Sequence, residues 1–203
     1  DGGRTWEPLQ VVWSEGQNAC GGPTAVVDRD TGRIWLHMRW NHGADWIPEL
    51  RMGIGRDRMR PFVCYSDDEG ATWSEPRELE DIGHPKWWKH GPGPGVGIQL
   101  QTGQYKGRLV IPCFMSGFGE DVGHHGFRYL HKVQGPDCFG CYIVFSDDHG
   151  RTWERSGDVL WPWMNECQVV ELADGRLMLN MRNYDKRCQC RGVAVSGDGG
   201  DTW

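Results

Sequence analysis

The sequence predicts an all-β chain of about three repeated four-stranded antiparallel modules, the pattern of blades in a β-propeller. Three observations carry that expectation. A phrase S-x-D-x-G-x-T-W returns along the chain, and a longer strand–turn–strand unit returns behind it. The composition, 30 Gly and 12 Trp in 203 residues with turn signals throughout, leaves no sustained helical period.

The phrase reads Ser66-Asp67-Asp68-Glu69-Gly70-Ala71-Thr72-Trp73, then Ser146-Asp147-Asp148-His149-Gly150-Arg151-Thr152-Trp153, then Ser196-Gly197-Asp198-Gly199-Gly200-Asp201-Thr202-Trp203. Asp1-Gly2-Gly3-Arg4-Thr5-Trp6 is its headless form. An apolar run such as Phe62-Val63-Cys64-Tyr65 leads in, so the phrase sits where a strand turns back. Asp68, Asp148 and Asp198 are placed to accept hydrogen bonds from backbone N–H groups of that turn. Gly70, Gly150 and Gly200 supply a positive φ that other residues tolerate poorly. Thr and Trp then open the return strand, and the indole is large enough to wedge between units.

The longer unit starts with an apolar strand: Thr24 to Val27, Val96 to Leu100, Cys167 to Leu172. A turn ending in Gly-Arg follows at Gly32-Arg33, Gly107-Arg108 and Gly175-Arg176, and then a second apolar strand at Ile34 to Met38, Leu109 to Cys113 and Leu177 to Met181. A variable loop, a third strand, the phrase and a fourth strand complete roughly 50 residues, one blade's worth. The expected modules span about residues 20–73, 96–153 and 167–203 of a single domain. The Gly-Arg arginines recur at one turn and read as structural. Six residues beyond them lie Arg39, Phe114 and Arg182, equivalent positions that can face a shared central pocket. For Arg39 the alternative is an exposed strand-end arginine.

A net charge of −6 gives no basic footprint for nucleic acid. No apolar stretch approaches the ~20 residues of a membrane span. The chain opens inside one copy of the phrase and closes on the last residue of another, which reads as a piece of a longer protein, incomplete at both ends. A signal peptide can be neither seen nor excluded. Cys138-x-x-Cys141 and Cys188-x-Cys190 leave zinc and disulfide readings open. Against zinc, Cys64, Cys113, Cys141 and Cys167 each lie in an apolar strand-like run, where cysteine behaves as a small buried hydrophobe. We expect no metal and no cofactor. The compartment stays open, a secreted or extracellular one being favoured.

The repeated phrase is the Asp-box, and with it the chain resembles the sialidase (neuraminidase) family. Asp-boxes alone do not make an enzyme, but two further segments extend the likeness. Gly91-Pro92-Gly93-Pro94-Gly95-Val96-Gly97-Ile98-Gln99-Leu100, followed by Arg108-Leu109-Val110-Ile111-Pro112, resembles a segment of the family; with no Lys-Ser/Thr pair and no helix after it, it is not a phosphate loop. Asn165-Glu166-Cys167-Gln168-Val169-Val170-Glu171-Leu172, continuing to Leu179-Asn180-Met181-Arg182-Asn183, resembles the segment carrying the active-site glutamate and the second arginine of a triad.

The resemblance implies part of a six-bladed propeller and an exo-alpha-sialidase. Its substrates would be terminal sialic acids on glycoproteins, glycolipids or oligosaccharides, cleaved with retention. Arg182 would bind the substrate carboxylate, because a planar guanidinium fork matches a carboxylate bidentately. That carboxylate repels an anionic nucleophile, so the family uses a tyrosine, outside this chain, and Glu166 would be the base beside it. The first arginine, the acid/base aspartate and the third arginine would also lie outside, and the piece alone is expected to be inactive. Glu49, in the loop 42–60, falls where an acidic residue contacts the sugar. Phe114 and Ser116 fall where some members carry pocket tyrosines, and Gly22 where an Asn before Pro is common. The departures at Phe114 and Ser116 imply altered handling of the glycerol or N-acyl groups, and the one at Gly22 weakens the substrate-binding inference there. His124, His125 and His131, with Glu120 and Asp121, read as a polar loop near the pocket mouth rather than a metal site. Two rival readings stay open: a non-catalytic sialidase-like glycan-binding propeller, and a propeller hydrolase acting on another acidic sugar.

Overall fold

The computed structural model describes residues 1–85, 87–117, 139–157 and 163–203, and the chain is nearly all-β. The first sheet runs β1 (Ala19–Val27), β2 (Ile34–Asn41), β3 (Arg60–Ser66) and β4 (Arg77–Glu78), in that order. The second opens with β5 (Trp87–Pro92) and β6 (Ile98–Gln99), both paired with β7 (Leu109–Gly117), then β8 (Phe139–Ser146) and β9 (Glu154–Arg155). The third holds β10 (Met164–Glu171), β11 (Leu177–Asn183) and β12 (Gly192–Ser196). Every pairing is antiparallel. The fourth strands are only two residues long, and Thr-Trp precedes them in the turn rather than opening them. The reason is local: Asp68 has already taken both the N–H and the hydroxyl of Thr72.

The second sheet is sandwiched, which explains why β7 and β8 are buried along their whole length. One core lies between it and the first sheet, with Val26, Trp35, Val63, Ile111, Met115 and Trp153. Another lies between it and the third, with Val110, Ile143, Val169 and Leu179. Trp153 wedges as expected, its ring edge-on to Trp35 (5.9 Å) and His37 (4.2 Å) of the neighbouring sheet. Cys64, Cys113, Cys141 and Cys167 are buried free thiols. Cys188 and Cys190 are joined in a disulfide and so are not a thiolate pair; Cys138 and His124, His125 and His131 lie outside the described residues.

Each Asp-box builds the same knot. Ser66 Oγ donates to Asp68 Oδ1 (2.8 Å) and accepts the Gly70 N–H (2.8 Å), while Asp68 Oδ1 accepts the Thr72 N–H (2.8 Å). Ser146, Asp148, Gly150 and Thr152 repeat it, as do Ser196, Asp198, Gly200 and Thr202. These bonds hold the Asp68 carboxyl down to about 2, chiefly through the Thr72 hydroxyl. Two consecutive residues are left-handed in each of the first two turns, Glu69 (φ 59°) before Gly70 and His149 (φ 62°) before Gly150. Gly150 also makes room: a Cβ there would collide with the Trp35 ring, whose indole N–H donates to the His149 carbonyl.

The Gly-Arg arginines serve the boxes. Arg33 forks onto Asp67 at 2.6 and 2.7 Å, and Arg108 onto Asp147 at 2.8 Å twice. The third box has Gly197 at that position, so Arg176 turns back to Asp174 instead (2.7 Å). A side chain at Gly197 would enter open space, its Cβ meeting nothing within 4 Å. Gly197→Asp should therefore recruit Arg176 and raise the urea midpoint slightly, as an exposed pair does. A lowered urea midpoint would contradict this account of the spacing.

His37 and His90 are buried, at 2% and 4% exposed, and burial pushes both down to about 3. Arg77 adds to the effect at His37, and Arg58 and Arg155 at His90. His90 Nδ1 is hydrogen-bonded to the Tyr142 hydroxyl (3.3 Å), while His37 Nε2 has no partner among the described residues. Above pH ~6.5 neither state binds the protons; as pH falls towards 3 only the unfolded chain takes them up, so stability declines. The expected slope between pH 6.5 and 4.5 approaches about 2.7 kcal/mol per pH unit for two such groups. Urea unfolding at pH 7 and pH 4.5 measures it, and equal stabilities would refute it.

Candidate functional site

The innermost strand of each sheet is interrupted, and the candidate site gathers at the interruptions. In β1 the register shifts between Gly21 and Thr24, and in β10 between Met164 and Cys167. Between β5 and β6 the chain runs as the glycine-rich stretch 93–97. That stretch is glycine-rich because it is pressed on both sides. A Cβ on Gly95 would sit 2.8 Å from the Cys167 carbonyl oxygen, and one on Gly97 2.7 Å from Val26. The Gly97 N–H donates to the Ala25 carbonyl (2.8 Å), and Val96 exchanges two hydrogen bonds with the Gln168 side chain (2.7 and 2.9 Å). The three innermost strands are thereby stitched side by side.

At the β10 bulge, Asn165 and Glu166 face a single residue of β11, Arg182. Asn165 holds the bulge open: its carboxamide oxygen accepts the Glu166 N–H (2.9 Å), and its carbonyl accepts from the buried Cys141 thiol (2.6 Å). The result aims Glu166 at Arg182, with Arg182 Nη1 donating to Glu166 Oε2 at 2.7 Å. This bond raises the Arg182 pKa further. The guanidinium also lies over the Tyr184 ring (4.6 Å), which stacks on Phe139 (5.3 Å). One Nη1 bond leaves four of the five guanidinium N–H groups for a ligand.

Arg39 reaches the same region, and Gly22 is what admits it. Gly22 has φ 61°, and a Cβ there would lie 2.6 Å from Arg39 Cζ, so the Gly22 departure and Arg39 form one matched feature. Burial lowers the Arg39 pKa, and the nearby Glu166 charge opposes that. Phe114 backs the cations rather than opening onto solvent: it is 2% exposed, with Arg39 at 5.4 Å and Lys89 at 4.4 Å from its ring centroid. Glu49 belongs to a short helix, α1 (Ile47–Met52), in what reads from sequence as a loop. Its Oε2 accepts the Trp46 N–H (2.7 Å), capping that helix, and Gly53 in the left-handed conformation ends it. Arg51, in the last turn of α1, lies 5.0 Å from the Phe139 ring.

Sequence reasoning passed over Lys89. It sits on β5 opposite Ser116, two pairs along from Phe114, and is only 6% exposed. Burial first, then the Arg39 and Arg51 charges, bring its ammonium down to about 7, with Glu166 opposing. The signal available was a lone lysine inside Trp87-Trp88-Lys89-His90, ahead of the glycine-rich stretch. Structure thus unites Arg39, Phe114, Glu166 and Arg182 with Lys89, and leaves Glu49 engaged at the start of α1. Among the described residues Asp28, Asp30 and His149 also converge, but Gln99 and Thr31 bind the aspartates within the fold, and the group reads as a strut between sheets.

Residues 1–203 match the BNR repeat-like domain family. The chain is 35% identical over 214 residues to a sialidase of Micromonospora viridifaciens, with all of this chain and 30% of that protein covered. It is 30% identical over 217 residues to a sialidase of Bacteroides fragilis, with all of this chain and 35% of that protein covered. The chain therefore spans about a third of these relatives' lengths. Among solved structures, a Hadza microbial sialidase superposes with TM-score 0.78 at 30% identity, over the whole chain and 38% of that protein. The antiparallel sheets thus correspond to part of a sialidase β-propeller.

Proposed function

The chain belongs to the BNR repeat-like domain family, its matched relatives being sialidases, and from that premise we propose that the full-length protein is an exo-alpha-sialidase acting on sialylated glycoconjugates. The observation that carries the reading is the bulge that sets Glu166 against Arg182 beside the half-buried Arg39. Arg182 offers its Nε and Nη2 edge as a fork for the substrate carboxylate. Glu166 is the base that takes the proton of a tyrosine nucleophile supplied from outside this chain; a neutral phenol approaches a carboxylate-bearing anomeric carbon without charge repulsion. Arg39 lies at the same end of the site with Phe114 behind it, and Glu49, held by Oε2 at the start of α1, would offer its other carboxylate oxygen to a sugar hydroxyl.

The test is hydrolysis of a 4-methylumbelliferyl sialoside by the full-length protein, with the anomer first released identified by proton NMR. Release of the α-anomer supports the retaining mechanism. A folded protein that binds sialyllactose but releases nothing belongs to the non-catalytic reading.

A further inference from the structure

The candidate site holds positive charge beyond the Glu166–Arg182 pair. Arg182 is matched with Glu166 at 2.7 Å, and each is about half exposed. Arg39 and Lys89 have no such match: among the described residues neither has an ion-pair or hydrogen-bond partner. Both lie within 5.4 Å of the centroid of one aromatic ring, Phe114, and Arg51 adds a third positive charge felt at Lys89. A lysine only 6% exposed beside a second cation is costly, because burial removes its water and the neighbour repels it. Nor is Arg39 there by default, since Gly22 gives up its side chain to admit it. Neither group's nitrogens are among the sealed, unsatisfied polar atoms, so both remain open to an incoming group.

We propose that Arg39 and Lys89 form a second anion subsite, beside the Glu166–Arg182 pair, that receives a sulfate or phosphate ester carried on the acidic sugar itself. The proposal rests on the sialidase reading of the pocket for its sugar, and on the unmatched cations for its anion. A tetrahedral oxyanion accepts from the Arg39 fork and from the Lys89 ammonium together. It must be on the sugar that enters the pocket, because Lys89 is too buried to meet a group on a distal residue of the glycan. Anion binding also returns Lys89 to its charged form, since an opposite charge at contact outweighs the repulsion from Arg39 and Arg51.

The experiment compares kcat/KM of the full-length protein on a 4-methylumbelliferyl sialoside with that on its O-sulfated and O-phosphorylated counterparts. The expected result is a preference of about tenfold or more for at least one ester, the arm that wins naming the ester. In Lys89→Met and in Arg39→Met that ratio should fall to near one, whatever happens to the plain sialoside. Lys89→Met should also melt higher, because it removes an unmatched buried charge at similar volume, so loss of preference cannot be put down to unfolding. If no sialoside is cleaved, the hydrolase reading falls, and calorimetry with inorganic sulfate and phosphate decides the subsite by itself. Binding that weakens at least tenfold in both variants sustains it. No preference in the parent, a preference kept by the variants, or no anion binding overturns it.

Discussion

Glu166→Ala and Arg182→Ala in the full-length protein are each expected to lower kcat/KM on a 4-methylumbelliferyl sialoside by about 100-fold or more. The geometry separates how they do so. On the proposed roles Arg182 holds the substrate carboxylate, so its loss should raise KM as well as lower kcat. Glu166, on the same roles, acts on the attacking group, so its loss should fall on kcat more than on KM. The pair is joined at 2.7 Å, and the two residues act on one event, so the double variant should lose far less than the product of the single losses. Stability should barely move, because the pair is 47% and 44% exposed and salt bridges at such surfaces contribute little. Independent, multiplicative losses would show that the two residues do not share a site, and the sialidase reading would lose its main support.

Most of the architecture was legible because the Asp-box is closed upon itself. Ser, Asp, Gly and Thr bond to one another within seven residues, so the phrase reports its own structure. Features set by distant partners were not legible. Trp87–Pro92 shows no clean alternation, yet pairing with β7 makes it a strand, packing overriding local preference. Helix α1 is six residues long, too short for a period to show, although Pro48, Glu49 and Gly53 are start and stop signals. The positive φ at Glu69 and His149 escaped notice because neither residue advertises it. At the site, the six-residue offset from each Gly-Arg turn pointed to Arg39 and Arg182, and family likeness pointed to Glu166. Lys89 escaped because its meaning depends on Arg39, Arg51 and Phe114, which arrive from three other elements. The match of Gly22 with Arg39 is a cross-strand fact, invisible in a linear string.

Arg108→Met is the substitution expected to damage the fold most, by about 2–4 kcal/mol. Its equivalent Arg33→Met should cost about 1 kcal/mol or less, though both replace the arginine of the same Gly-Arg turn. The difference lies in what each guanidinium joins. Arg33 is 30% exposed and forks onto Asp67, itself 58% exposed and part of the same sheet's own box. Arg108 is 5% exposed and sits between boxes: it forks onto Asp147 of the second, and its Nη1 reaches the Gly199 carbonyl and Asp201 of the third, each at 3.0 Å. Its plane lies against Tyr105 (4.3 Å) and Phe145 (4.0 Å), so the stem and the charge both contribute. Removing it strands two carboxylates beside each other and loosens the seam between the second and third sheets. Asp147 and Asp201 are 56% and 45% exposed and can rehydrate, which holds the loss below that of a fully buried network. Urea midpoints of the two variants measure the contrast. Equal losses would mean that the seam is held by apolar packing, and that the recurring arginine has one modest value wherever it occurs.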